Sequence, residues 1–165
     1  MSGERLVGLA PVITRDTRLL VLGSFPGVAS LQAQQYYGHP RNHFWPLLSA
    51  LWNVDLMTAG YEERLAEMRR RGLGLWDVYA SCRREGSLDQ AIEEAETNDL
   101  ASLRALAPEL RLVAHNGGES ARVMRHVASL GYAVLRLPST SPANASWSFD
   151  RKLSAWRAAF VQAGI

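Results

Sequence analysis

Four short apolar runs separated by amphipathic stretches constrain this chain more than any other feature. They are "RLLVLG" (Arg18–Gly23), "LGLWDVY" (Leu73–Tyr79), "LRLVAHNGG" (Leu110–Gly118) and "YAVLRL" (Tyr132–Leu137). Runs that stay apolar and then stop at glycine or a polar turn suit strands buried on both faces of a parallel sheet. Between them, helical spacing recurs. It places Phe44, Leu47, Leu48, Leu51 and Trp52 on one face after a capping Asn42, and turns Leu65 and Met68 inward in a stretch closed by Gly72. A further stretch, Glu119–Leu130, ends at Gly131, and a last helix over Phe149–Ala163 follows the capping Ser148. Thr97 or Asn98 opens a shorter helix that reaches Leu106 before Pro108 interrupts it. The alternation predicts the α/β class: a three-layer α/β/α sandwich around a four-stranded, mainly parallel sheet, in one domain spanning residues 1–165.

Composition removes several alternatives. With 165 residues, 47% of them apolar, the chain can bury an ordinary core. It holds no run of about 18 apolar residues and no basic-then-apolar leader, so a soluble, cytoplasmic monomer with no membrane contact is expected. The lone Cys82 cannot form an intrachain disulfide, a four-cysteine zinc site or an iron–sulfur cluster. His39 and His43 stand four apart, but Pro40 breaks any helix across them, and neither metal nor cofactor is expected. A net charge of +2 does not by itself argue for a polyanionic partner, although Arg69–Arg71 and the pair Arg83, Arg84 are locally basic. Lys152 is the only lysine.

In open parallel sheets, ligands bind beyond the carboxyl ends of the strands. Here those ends lead into "GSFPG", Trp76 with Asp77, "HNGG" and "LPSTSPANAS", where polar, aromatic and glycine residues concentrate. One composite site follows. Each piece also has a plainer reading: a tight turn for "GSFPG", a turn cap for Asp77, core packing for the aromatics, a surface turn for the serine-rich loop. Adjacent Tyr36 and Tyr37 cannot both point inward in extended chain, so one faces the cleft or solvent.

Taken in order, "GSFPG", "QYYGHPRNHFW", "LWDVYASCRREGSLD", "HNG" and "LPSTSPANAS" resemble the uracil-DNA glycosylase superfamily over roughly Leu19 to Trp156. Within it, the motifs are most similar to the deoxyinosine, or hypoxanthine, DNA glycosylase branch. The resemblance implies a monofunctional enzyme of base excision repair. It would flip a deaminated base out of double-stranded DNA, hydrolyse its glycosidic bond and leave an abasic site. In a prokaryote it would work at the nucleoid.

The resemblance also assigns residues. The superfamily usually carries Asp or Asn before the proline of its first motif to orient the attacking water, and Phe25 stands there in this chain. The polar task then falls to Asn42. Tyr37 takes the position of the aromatic that stacks on the flipped base, with Phe25 packing beside it. Asp77 falls where relatives read the base edge: a carboxylate accepts N1–H of hypoxanthine and repels the bare N1 of adenine, while Asn116 donates to O6 or N7. Ser139, Thr140 and Ser141 match the motif that pinches the phosphates, and Leu137 replaces its usual leading histidine. Ser24, Gly27, Ser30, Pro138 and Asn144 complete the expected DNA contacts. Two alternatives stay open: excision of uracil or thymine mispaired with guanine, or a module that binds damaged DNA without cleaving it.

Overall fold

The computed structural model describes residues 3–165. Seven strands occur among them: β1 (Leu6–Val7), β2 (Leu19–Gly23), β3 (Leu73–Asp77), β4 (Tyr79–Arg83), β5 (Glu93–Thr97), β6 (Leu112–Asn116) and β7 (Ala133–Leu137). The helices are α1 (Val28–Ala33), α2 (Phe44–Trp52), α3 (Tyr61–Arg70), α4 (Leu103–Leu106), α5 (Gly118–Ala121), α6 (Met124–Ser129) and α7 (Phe149–Ala163). No helix among the described residues is long and apolar enough to cross a membrane.

The four runs read from the sequence form one parallel sheet in the order β3-β2-β6-β7. Because successive side chains alternate faces, β2 sends Leu19 and Val21 into a core with α2, α3 and α7. Leu20 and Leu22 enter a second core with α4 and α6. The sandwich is therefore α/β/α, as expected. From β2 the chain first crosses to β3 on one side and later to β6 on the other. The carboxyl ends of β2 and β6 thus flank a switch point, where loops diverge and leave a crevice.

A second, three-stranded sheet in the order β1-β4-β5 was not expected. The stretch Tyr79–Arg83, inside the motif "LWDVYASCRREGSLD", is strand β4, antiparallel to both neighbours and irregular in register with β5. β5 is the acidic segment "EEAET", exposed along its whole length. Three other boundaries differ. The helix expected from Glu119 is interrupted at Arg122–Val123. "VASLQA", for which the sequence reading names no element, forms α1. Asn98 caps no helix; its side chain donates to the carbonyl of Asp77 at 2.8 Å and steadies the end of β3. Near the N-terminus, Val12 bridges Leu75 antiparallel and extends the main sheet beyond β3.

Candidate active site

At the carboxyl ends of the parallel strands lies a cavity of about 670 Å³, within the range of ligand pockets. Gly23, Asp77, Asn116 and Leu137, the last residues of the four strands, all line it. So do Ser24, Phe25, Gly27, Ser30, Tyr37, Asn42, Pro138, Ser139, Thr140, Ser141 and Asn144. The residues singled out in the sequence are thus brought to one place, although they differ in how free their polar groups are.

Asn42 precedes α2. Its Oδ1 accepts the amide of Phe44 at 2.9 Å, satisfying one orphan donor of the helix N-terminus. That bond fixes which way the carboxamide points. Its amide nitrogen has no protein partner among the described residues, and Asn42 lines the cavity.

Tyr37 adopts a left-handed backbone, φ 55°, which non-glycine residues rarely take. The kink separates it from Tyr36, which is buried and donates to the carbonyl of Ala10 at 2.8 Å. One face of the Tyr37 ring stacks on Phe44, centroids 4.2 Å apart, and its hydroxyl accepts from Asn116. Ser30 supports the kink: its hydroxyl accepts the amide of Gly38 at 3.0 Å and is thereby committed to the fold.

Asp77 is buried at the end of β3, and its carboxyl makes no hydrogen bond or ion pair among the described residues; Oδ2 is sealed from solvent. Gly23 lies so close that a Cβ there would meet Asp77 Oδ1 at 2.5 Å, so any larger residue would push the carboxyl aside. Burial raises the carboxyl from 3.8 to about 7; the Asp89 carboxylate adds to this, and Arg84 partly offsets it.

Asn116 has little freedom left. Its Nδ2 donates to Tyr37 Oη (3.2 Å) and Thr140 Oγ1 (3.0 Å), while its Oδ1 accepts the amide of Thr140 (3.0 Å). Both amide hydrogens are engaged, so donation to a base would exchange one of these bonds. Thr140 itself is buried, with its carbonyl accepting from the His43 amide at 2.9 Å. Its hydroxyl therefore anchors the loop from beneath instead of meeting a phosphate. Ser139 and Ser141, partly exposed, are the hydroxyls left on the outer side.

Four further residues escaped the sequence reading. Arg84, taken there as part of a basic cluster, is buried: it stacks on Phe25 at 5.3 Å and donates to the carbonyls of Pro26 and Gly86. It holds the first loop from behind, and Arg83 is paired with Glu94. Asp89 accepts from Ser24 Oγ at 2.6 Å. Leu88 and the exposed Arg136 stand at the rim. Of these, only Arg84 had been marked, by its charge.

Two other ionisable groups lie off the cavity wall. His115 is enclosed, and burial lowers it to about 4. Ser120 Oγ spends its proton on the carbonyl of Leu22 (2.7 Å), so the 2.9 Å contact is donated by His115 Nδ1. Lys152 is buried, with Nζ 3.2 Å from His43 Nδ1.

An α/β/α sandwich with a loop-built cavity at its switch point, walled by carboxamides, a stacked tyrosine and a buried acid, has the form of an open-sheet ligand-binding protein. The model of the uracil DNA glycosylase superfamily matches residues 10–162, and the chain belongs to that superfamily. It is 41% identical to a hypoxanthine DNA glycosylase of Methanosarcina barkeri and 38% identical to one of Methanosarcina acetivorans. Each match runs over 153 residues, 93% of this chain and 96% of the relative. A solution NMR structure described as a candidate uracil DNA glycosylase from Methanosarcina acetivorans superposes with a TM-score of 0.88 at 36% identity. That match covers 98% of this chain and all of the other.

Proposed function

We propose that this protein is a monofunctional DNA glycosylase that releases hypoxanthine from deoxyinosine in double-stranded DNA. The observation that carries the reading is the convergence of Asn42, Tyr37 and Asp77 on one cavity at the strand ends. The two relatives named for hypoxanthine support the choice of base.

In this reading the extruded base enters the cavity and lies against the free face of Tyr37. Stacking of this kind contributes about 1–3 kcal/mol. Asn42, oriented by its bond to Phe44, holds the attacking water through its unpartnered amide, the task that Phe25 cannot perform. Cleavage proceeds through an oxocarbenium-like sugar while negative charge develops on the departing base. Asp77 meets the base edge. As a neutral acid it donates to O6 through Oδ1, stabilising the leaving anion. As a carboxylate it accepts N1–H only and repels the bare N1 of adenine. Asn116 acts by positioning Tyr37 and Thr140. Lys152 does not line the cavity, which argues against a lysine imine and for an intact abasic strand as product. The enzyme acts as a monomer in the compartment that holds the genome.

The test is incubation with duplexes carrying one inosine, uracil, xanthine or thymine, followed by alkali to reveal abasic sites. Cleavage greatest at inosine supports the proposal. Cleavage only at uracil or thymine moves the substrate to G-mismatched pyrimidines, and binding without any release reduces the protein to a damaged-DNA-binding module.

A further inference from the structure

The only lysine of the chain, Lys152 on α7, is 1% exposed. Lysine is almost never buried without a partner, because an ammonium group out of water needs acceptors for its hydrogens. Among the described residues Lys152 has one: Nδ1 of His43, at 3.2 Å. None of the ion pairs among those residues includes it. Its surroundings are unfavourable in a second way. His43 is the N-cap of α2, a nine-residue helix whose amino end carries partial positive charge. A buried cation behind the positive end of a helix, with no acid paired to it, is a costly arrangement that an anion in front would relieve.

The contact decides the chemistry of the ring. An ammonium group has no lone pair, so it donates and Nδ1 accepts. The proton of the neutral imidazole then resides on Nε2. Burial and the Lys152 charge both hold His43 below its ordinary value, and they favour the neutral ring. Of the charged groups near it in sequence, Arg41 on its own loop and Asp150 and Arg151 on α7 make no hydrogen bond or ion pair with it. Phe149 meets the ring edge to face, centroids 5.3 Å apart. Nε2 has no partner among the described residues and is not closed off from solvent. The outcome is a single N–H donor of fixed position, polarised by the charge behind it.

The position of that donor limits what it meets. The His43 amide donates to the Thr140 carbonyl at 2.9 Å, so the residue is fastened to the serine-rich loop. Asn42, directly before it, lines the cavity, whereas His43 does not. A donor beside the cavity but not in its wall is placed for the sugar–phosphate backbone, to which most protein–DNA hydrogen bonds go. We infer that His43 Nε2–H binds a phosphate oxygen of the DNA, and that Lys152 is the positioning residue that keeps the proton on that nitrogen. The role rests on the glycosylase reading above. It gives the buried lysine a task that needs neither a covalent bond to the sugar nor a place in the cavity.

Nitrogen NMR of the imidazole reads the proton directly. In wild type at pH 7, Nδ1 should be bare and Nε2 protonated. In Lys152→Met, which keeps an unbranched stem without the charge, His43 should titrate at higher pH than in wild type and mix its two tautomers above that point. A wild-type ring protonated on Nδ1, or the same titration in both proteins, overturns the lock. Affinity is read on a duplex with a stable abasic-site analogue, which gives Asp77 no base to bind. At pH 8, His43→Ala should bind at least fivefold more weakly than wild type. His43→Gln, whose Oε1 can accept from Lys152 while Nε2 donates, should recover most of that loss. Lys152→Met should bind more weakly than wild type at pH 8 and regain affinity as falling pH turns the ring into a cation. A loss in His43→Ala smaller than fivefold, or a wild type that does not bind the duplex, overturns the phosphate contact. If Lys152→Met does not fold, the wild-type tautomer and the two His43 variants decide. Should wild type bind and release no hypoxanthine, the proposed substrate fails while the contact is still judged by these ratios.

Discussion

Asn116 and Thr140 are joined by two hydrogen bonds, one from the Thr140 amide to Asn116 Oδ1 and one from Asn116 Nδ2 to Thr140 Oγ1, each 3.0 Å. The pair fastens the serine-rich loop to the end of β6, and the remaining amide hydrogen of Asn116 reaches Tyr37. Two walls of the cavity thus share one carboxamide. Asn116→Ala strands three buried partners, each worth about 1–3 kcal/mol when left unpaired. We expect a fall in unfolding free energy of about 2–4 kcal/mol and weakened DNA affinity. Asn116→Asp, which keeps only the acceptor, should recover part of the stability. Denaturant titration and equilibrium binding to an uncleavable duplex check both.

Asn42 separates a structural from a chemical role. If it served only the Phe44 amide, Asn42→Ala would cost about 1 kcal/mol and leave turnover unchanged. We expect that cost together with a drop in the single-turnover rate of at least about a hundredfold, as for loss of a group that positions the reactant. Asn42→Ser, which can still accept the Phe44 amide, should regain stability without regaining rate.

Asp77 makes stability depend on pH. Its carboxyl rises from 3.8 unfolded to about 7 folded, so between those values the folded protein holds a proton that the unfolded chain has released. Stability is therefore greatest below about pH 4, as far as this group goes, and falls as pH rises to about 7. At about 1.4 kcal/mol per pH unit, the loss is on the order of 4 kcal/mol. Asp77→Asn should remove that slope and be the more stable protein at pH 8. Thermal unfolding across pH 4–8 measures it.

The same titration reaches selectivity. Above pH 7 the carboxylate repels the bare N1 of adenine, so the preference for inosine over adenosine should increase as pH rises through 7 and be flat in Asp77→Asn. Equal selectivity of the two proteins at pH 8 would remove Asp77 from base reading.

Arg84 is buried against Phe25 and feeds two backbone carbonyls of neighbouring loops. Arg84→Ala should cost about 3 kcal/mol, since it frees those acceptors and opens space beneath the first loop. Arg84→Lys, with a point charge in place of a planar fork, should recover little. Calorimetry distinguishes the two variants from wild type.

The main sheet was legible because Leu19–Leu22 and Leu112–Ala114 are buried on both faces and leave an uninterrupted apolar trace. The second sheet left none: β5 is exposed throughout, and β4 carries register shifts that blur its alternation. The cavity residues were legible as motifs, their bonding was not. Nothing in "PSTSP" says that Thr140 turns inward while Ser139 and Ser141 stay at the surface, since that choice is made by Asn116, 24 positions away. Arg84 misled by its charge, which is counted as solvent-facing until the fold shows what covers it.

The acidic strand β5 has a consequence beyond the cavity. Its outer edge offers unpaired backbone groups, the surface on which a second chain could add a strand and begin a fibre. Glu93, Glu94 and Glu96 lie along it, Glu94 with a left-handed φ of 49°, and the register with β4 shifts twice. Charged side chains and a broken pleat make that edge a poor template for aggregation.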